Sequence, residues 1–302
     1  MPTVGVLSEG HPRETIGVGS REIDPEPRPN LPLAMPSSLS KLTTWIIQTN
    51  VEPESTSPAA LRRACIDEGH PYCEISIAPG AISLPDIPHI EGPVVFHGRT
   101  TLILRASEHP EWSRGIFFDP ARFQHRAYLA AYGNRLLNAD ARVLTWERLI
   151  REPCGPGELV FLKPNDDLKR FTGTVLTYSE CLSLYEALRS RSRPVAPTDE
   201  VVLGMPREID AEWRLFLVDG RFVTGSMYRP SGDPHVPREA IDFAEEAASR
   251  WTPASVFTLD VARVEGDWKI VECNCFNWSR FYCADVGRLV REVSEHQSSG
   301  RS

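Results

Sequence analysis

The sequence predicts a mixed α/β chain, with a small α/β unit in its first half and antiparallel strand pairs in its second. Three observations carry that reading. Short apolar strands alternate with a helical segment between residues 44 and 97, and two Gly-centred turns each join a pair of strands after residue 210. The chain has 302 residues, enough for one large domain or two ordinary ones without disulfides or metals to hold the core.

Composition narrows the function classes. Lys+Arg 33 against Asp+Glu 41 gives a formal charge of -8, which argues against nucleic acid or an anionic membrane as the main partner, while a local basic pocket stays compatible. No apolar run is long enough to cross a bilayer, and "MPTVGVLSEGHPRETIGVGS" has neither a basic nor an apolar export region, so a cytoplasmic protein is expected. Seven cysteines are an odd count spread over a long chain, which reads as reduced thiols rather than a disulfide framework. Oligomeric state has no sequence signal.

Element by element, residues 1–40 read as a flexible leader rich in Pro and Ser, with no hydrophobic periodicity. An N-terminal α/β domain over 41–153 begins with a strand at 44–49. A helix over 58–69 follows, with Ser57 as its N-cap, then strands near "YCEISI" and "GPVVFHG". A helical stretch "ARFQHRAYLAAYGNRLL" leads to "ARVLTWERLI", and the Pro/Gly run after it places a boundary near residue 153. The second domain, 154–295, opens with the strand "LVFLKP" and the polar loop "NDDLKRFTG". A helix at 178–190 comes next, where Thr177 and Glu180 have capping-box spacing, and then the strand "EVVLGMPREI", broken by Pro206. Residues 296–302 read as a tail.

Two hairpins close the chain and carry its chemistry. In "VFTLDVARVEGDWKIVECN" a three-residue turn, Glu265-Gly266-Asp267, pairs Val264 with Trp268, which sets Asp260 opposite Glu272 and Thr258 opposite Asn274. Opposed residues and residues two apart share a face, so Asp260, Glu272 and Asn274 converge. Facing carboxylates repel unless a cation lies between them, and oxygen-only ligands suit Mg²⁺. The alternative is a solvated strand pair, which the apolar Leu259, Val261 and Ile270 disfavour. A zinc site of Cys273, Cys275 and Cys283 competes, but the spacing is wrong and no His is near, so the thiols read as small buried hydrophobes.

The hairpin "EWRLFLVDGRFVTGSMYR" turns at Asp219-Gly220 and pairs Val218 with Arg221. That register puts Arg214 opposite Gly225 and Arg229 opposite Asp210, with both arginines on the face of Glu212 and with Gly225 leaving room for a ligand. Arginine grips carboxylate and phosphate through a fork of donors, and surface arginines are the alternative. Lys163 at a strand end and Lys169 in the next loop, with Thr172 and Gly173, form a candidate phosphate cradle. P-loop, dinucleotide-binding, zincin and α/β-hydrolase motifs are absent from the sequence.

Strand lysine, polar loop, helix, Pro-broken strand, Arg-bearing hairpin and then "LDVAR…IVECN" come in an order that resembles the ATP-grasp superfamily. The segments "FLKPNDDLKRFTG", "EWRLFLVDGRFVTGSMYR" and "DVARVEGDWKIVECNCFNWSRFYCADV" look most like the clade named for two arginines and one lysine. The likeness covers residues 160–290, and the stretch from Gly115 to Leu149 is similar to what precedes that module. It implies a two-lobed ATP-grasp domain with antiparallel sheet, which binds ATP and Mg²⁺. It implies that Lys163 and Lys169, with Thr172 and Gly173, meet phosphates, and that Leu203 and Met205 present backbone groups to adenine. Glu212 would reach the ribose or base edge, Arg214 and Arg229 would neutralise transferring phosphate, and Asp260, Glu272 and Asn274 would hold Mg²⁺. Asn277, Trp278, Arg280 and Tyr282 are expected to border the acceptor pocket. The loop after Lys163 departs from the Gly-rich phosphate loop of many ATP-grasp ligases. The implied reaction joins a carboxylate and an amine of an amino acid, peptide or protein terminus through an acyl-phosphate, releasing ADP and phosphate. A phosphotransferase and a nucleotide-binding module without turnover are the alternatives.

Overall fold

The computed structural model describes residues 42–51, 55–78, 81, 83–152, 155, 157–191, 194–230 and 232–300; the expected leader lies outside them. β1 (Thr44–Gln48) is a nearly continuous apolar run, as a strand covered on both faces must be. It lies between β2 (Tyr72–Ile75) and β3 (Val94–His97), and both pairings are parallel. α1 (Ser57–Glu68) follows β1, begins with Pro in its first turn and stops at Gly69, which takes the left-handed conformation. Its N-cap is Thr56, whose side chain makes no capping bond, so the expected Ser57 cap moves by one residue. α2 (Thr100–Ala106) follows β3. The single helix expected over 121–137 is shorter: α3 (His125–Tyr132) ends at Gly133, where a positive φ of 54 stops the α-helix and a 3₁₀ turn replaces it.

Two antiparallel sheets of four strands form the rest. The first has the order β4-β7-β5-β6, from β4 (Arg142–Thr145), β5 (Leu159–Pro164), β6 (Thr174–Thr177) and β7 (Glu200–Gly204). α4 (Trp146–Arg151) follows β4, and α5 (Tyr178–Arg189) starts on the expected capping box, with Thr177 and Glu180 bonded reciprocally. Strand β6 falls between the expected loop, 165–173, and the expected helix at 178–190, where the sequence reading assigns no element. β4 pairs along its length with β7, so the expected boundary near residue 153 cuts through a sheet. Non-local pairing of that kind overrides the Pro/Gly punctuation.

The second sheet has the order β11-β10-β8-β9, from β8 (Ala211–Val218), β9 (Arg221–Arg229), β10 (Val256–Val264) and β11 (Asp267–Cys275). α6 (Arg238–Arg250) joins the two hairpins, and α7 (Val286–Ser298) closes the chain, taking in the first residues of the expected tail. Trp213, Leu215, Leu217, Phe257 and Leu259 project from one face of this sheet into a core shared with α3 and α6. The other face carries Phe216, Val218 and Val256 at one end, packed against α1, α7 and β1. Its other end is polar and faces β5.

Register decides what that polar end contains. The turn between β10 and β11 has two residues, not three: Val264 pairs with Asp267, and Glu265 and Gly266 both have positive φ. A bulge between the Asp260 and Val261 pairings then restores the phase, so Asp260 lies opposite Glu272 and Thr258 opposite Asn274 as expected. The other hairpin deviates. Two irregularities place Arg214 opposite Ser226, Gly225 opposite Leu215, and Arg229 opposite Glu212. A Cβ on Gly225 would lie 2.6 Å from the Arg214 carbonyl oxygen and 2.8 Å from Leu215 Cδ2, so this glycine admits the neighbouring strand rather than a ligand.

Candidate active site

Adjacent strands bring Ser226, Arg214, Asp260 and Glu272 into one row across the second sheet. The Arg214 guanidinium grips Asp260 through both oxygens, Nε to Oδ1 at 2.8 Å and Nη2 to Oδ2 at 2.7 Å. Asn274 Nδ2 donates to the same Oδ2 at 3.0 Å. Above the guanidinium, the rings of Tyr228 and Tyr282 stack at 4.8 Å, and its carbon lies 5.3 Å from the Tyr282 centroid. Tyr228 donates to Glu212, whose other oxygen lies 3.7 Å from Arg229 Nε.

Two lysines reach this row from the other sheet. Lys163, buried on β5, places Nζ 3.3 Å from Glu272 Oε2 and 5.7 Å from the centre of the Tyr128 ring. Lys169, left-handed at φ 56, extends its ammonium among Asp167 Oδ1 at 2.5 Å, Glu272 Oε1 at 3.8 Å and the Asn274 side-chain oxygen. The loop bearing it is held by the start of α3, where His125 N donates to Asn165 O at 2.8 Å. Thr172 and Gly173 are exposed, and Gly173 passes close enough that a Cβ would meet Phe161 Cζ at 3.0 Å. Leu203 is buried on β7, while Met205 just beyond it exposes 51% of its surface.

Electrostatics follow from this packing. Burial opposes ionisation of Glu272, but Lys169, Lys163 and Arg214 outweigh it and hold the carboxyl below its ordinary range. Burial, with the Asp260 charge added, pushes Glu212 up to about 7. Asp167 is raised by burial, against the pull of Lys169. Enclosure works against the Lys169 charge, but Asp167 and Glu272 prevail and raise it. The result is a cluster of four acids, Asp167, Glu212, Asp260 and Glu272, neutralised by Lys163, Lys169, Arg214 and the more exposed Arg229.

Asp167 is the residue that sequence reasoning missed. It is 5% exposed, and its Oδ2 accepts from Cys275 N at 2.8 Å and Trp278 Nε1 at 3.1 Å, tying the Lys169 loop to the end of β11. An acid two residues before a candidate lysine is a weak signal, and burial is what gives it meaning. Of the four residues expected at the acceptor pocket, Trp278 and Arg280 line a cavity of about 400 Å³ beside β1 and β3. Tyr282 lies over Arg214. Asn277 is fully buried: its Nδ2 donates to Phe96 O and Gly115 O, and its Oδ1 accepts from Phe117 N, so it is a structural tie.

The donor set around Lys169 Nζ is all oxygen, and a cation already sits at its centre, which is chemistry that also fits Mg²⁺. Asp260 differs, since both of its oxygens are engaged by Arg214. Among the described residues no group of three or more His, Cys, Asp or Glu side chains is arranged to hold a metal alone, so phosphate and water oxygens must complete any shell. Cys273 and Cys275 are buried, and burial pushes both thiols up, which keeps them protonated; Cys154 lies outside the described residues.

The mixed α/β architecture with two antiparallel sheets matches ATP-grasp ligase folds. The model of an ATP-grasp domain, family 3 of the clade named for two arginines and one lysine, matches residues 95–293, and the chain belongs to that family. No curated protein matches it. Solved structures similar to it include the D-cycloserine synthetase DcsG, at 16% identity and TM-score 0.54, covering 84% of this chain and 99% of that one. A RimK domain ATP-grasp protein from Sphaerobacter thermophilus DSM 20745 is similar at 11% identity and TM-score 0.52, covering 85% and 98%. The ATP-grasp ligase PsnB complexed with minimal precursor is similar at 13% identity and TM-score 0.51, covering 84% and 99%. At these identities the likeness is one of fold. Among the described residues no helix is long and apolar enough to cross a membrane.

Proposed function

We propose that this chain is an ATP-dependent carboxylate–amine ligase acting through an acyl-phosphate. The observation that carries the reading is the convergence of Lys163, Lys169 and Arg214 on Glu272, Asp260 and Asn274 between the two sheets. Family membership supports ATP as the nucleotide. Leu203 near the end of β7 and Met205 just beyond it are assigned to present backbone groups to adenine, and Glu212 to the ribose side. Thr172 and Gly173 cover the phosphates in place of a Gly-rich loop.

Lys163 and Lys169 bind the phosphates as point charges, and Arg214 and Arg229 neutralise charge that develops during transfer. Glu272 and Asn274, with Asp260 beside them, are the residues that would hold Mg²⁺, which when bound supplies further neutralisation of phosphate charge. An oxygen of the substrate carboxylate attacks the γ-phosphorus, and the bond from that phosphorus to the β-phosphate oxygen breaks to release ADP. An amine nitrogen then attacks the acyl carbon, the carbon–oxygen bond to phosphate breaks, and the amine proton passes to water. Such catalysis is positioning and charge neutralisation and requires no side-chain nucleophile.

The test is ADP and phosphate release from Mg-ATP with pooled carboxylates and amines, wild type against Glu272→Gln, with products read by mass spectrometry. The expected product is lighter than its two precursors by one water. A phosphorylated product without amide would make the protein a phosphotransferase. Nucleotide binding without turnover in any pool would make it a binding module, a reading to which the locked Arg214–Asp260 pair lends some support.

A further inference from the structure

Asp167 takes no part in the proposed phosphoryl transfer, although it is a buried carboxylate in the loop after β5. Its two oxygens are used differently. Oδ2 accepts from Cys275 N at 2.8 Å and from Trp278 Nε1 at 3.1 Å, and these two donors fix the group so that Oδ1 meets Lys169 Nζ at 2.5 Å. Asn274, also buried, is presented in the same way: its Nδ2 donates to Asp260 Oδ2 at 3.0 Å, which leaves its Oδ1 to the Lys169 ammonium. Glu272 Oε1 adds a third oxygen, 3.8 Å from Nζ. Side chains that ligate metals are oriented like this, by hydrogen bonds to the atom that does not ligate.

Charge then sets a condition on Lys169. Among the described residues it is the cationic side chain paired with Asp167, while Lys163 meets Glu272 at its other oxygen, Oε2. The proposed function gives the Lys169 ammonium to the phosphates. If it turns to them with nothing in its place, Asp167 becomes a buried carboxylate without a counter-charge, which is strongly destabilising. The lysine is nonetheless the member of the cluster able to leave, since its side chain is 46% exposed against 4% for Asp167 and 28% for Glu272. Its departure is favourable only when another cation occupies the position, and three oxygens that include two carboxylates suit a hard divalent one.

We propose that Asp167 is a ligand of the divalent cation that accompanies the nucleotide, joining Glu272 and Asn274, and that Lys169 holds this position in the nucleotide-free chain. Exchange of one cation for the other frees the lysine for the phosphates and keeps Asp167 compensated throughout. The inference rests on the ligase reading for the phosphates, but cation binding is measurable without turnover.

Mn²⁺ binding to the full chain, read by loss of the free-ion electron paramagnetic resonance signal, tests both halves. Without nucleotide, Lys169→Met should bind Mn²⁺ about 10-fold more tightly than wild type, and the gain should vanish when Asp167→Asn is added. With a non-hydrolysable ATP analogue bound, Asp167→Asn alone should weaken Mn²⁺ binding by at least about 10-fold. Asp167→Cys separates a ligand from a structural tie: relative to Asp167→Asn it should gain affinity for Cd²⁺ and not for Mn²⁺, because thiolate is the softer donor. If Lys169→Met does not fold, the two Asp167 variants decide alone. Equal affinity of wild type and folded Lys169→Met, a gain that survives Asp167→Asn, ternary binding indifferent to Asp167→Asn, or no Cd²⁺ preference in Asp167→Cys overturns the inference. Mn²⁺ held through Asp167 with no ADP release in any acid–amine combination keeps the metal assignment and removes the ligase. Amide formation with Mn²⁺ affinity indifferent to Asp167 does the reverse.

Discussion

The two antiparallel sheets match in strand number and differ in what they enclose. Against the sheet of β4 to β7 lie Leu144, Trp146, Leu162, Tyr185, Leu188 and Leu203, an interior closed by apolar contact, with Lys163 as its charged contribution to the cleft. The sheet of β8 to β11 is apolar on the α6 side but spends half of its other face on Glu212, Arg214, Asp260 and Asn274, each nearly buried. A buried ion pair loses hydration that apolar residues of the same volume never had, so its net contribution to stability is small or negative. The contrast teaches that the first sheet is shaped by folding and the second by the charge it must meet.

The sharpest way to break this comparison is Glu272→Gln. Glu272 is the acid that both lysines reach, and its side chain is 28% exposed, so the substitution should leave the fold intact. Substrate-dependent ADP formation is expected to fall by about 10³-fold, read by a coupled ADP assay beside far-UV circular dichroism. Persistent turnover would move the reaction centre away from the polar row.

Arg214 tests the same row through stability. Arg214→Ala strands the Asp260 carboxylate, 1% exposed, without its bidentate partner, and should lower unfolding free energy by about 3–5 kcal/mol in urea titrations. Arg214→Met combined with Asp260→Leu should recover most of that stability while remaining inactive. If the double variant is no more stable than Arg214→Ala, the pair is a stabilising element after all and the contrast between the sheets weakens.

On the apolar side, Leu188→Ala in α5 should cost about 2–5 kcal/mol, because the side chain is 1% exposed and its loss leaves a cavity. Turnover per folded molecule, measured well below the melting temperature, should not change. A matching drop in turnover would show that the first sheet does more than hold its strand lysine in place.

Part of this division was legible in the sequence. The two hairpins, the capping box at Thr177 and the facing of Asp260 with Glu272 all follow from local pattern, although the last was reached through a three-residue turn that does not form. A shorter turn and a bulge cancel, so the inferred register held by compensation. No such cancellation occurs between β8 and β9, where an irregularity between Phe216 and Leu217 shifts Gly225 away from Arg214 and a second, between Glu212 and Trp213, shifts Arg229 further. Bulges leave no mark in a single sequence. The burial of Asp167, the pairing of β4 with β7 and the cavity beside Arg99 are products of tertiary packing, so local pattern could not reveal them.

The smallest effect separates the sheets by pH. Glu212, raised from the usual 4.5 to about 7 by burial and by Asp260, keeps its proton in the folded state over a range where the unfolded chain has lost it. Folding then takes up a proton, so the contribution of Glu212 is present below 4.5, declines as pH rises to about 7, and is flat above. His97 and His125 oppose this slope: burial pushes them down to about 4 and about 3, so their contribution is full above 6.5 and is lost as pH falls through those values. Glu212→Gln should therefore remove the decline on the alkaline side of the stability profile, a difference of about 1–3 kcal/mol, and leave the acid side governed by the histidines. Urea titrations across that range would read it. An unchanged profile would mean that Arg229 already compensates the Glu212 charge, and the polar face would then be neutralised at every acid, its raised carboxyl included.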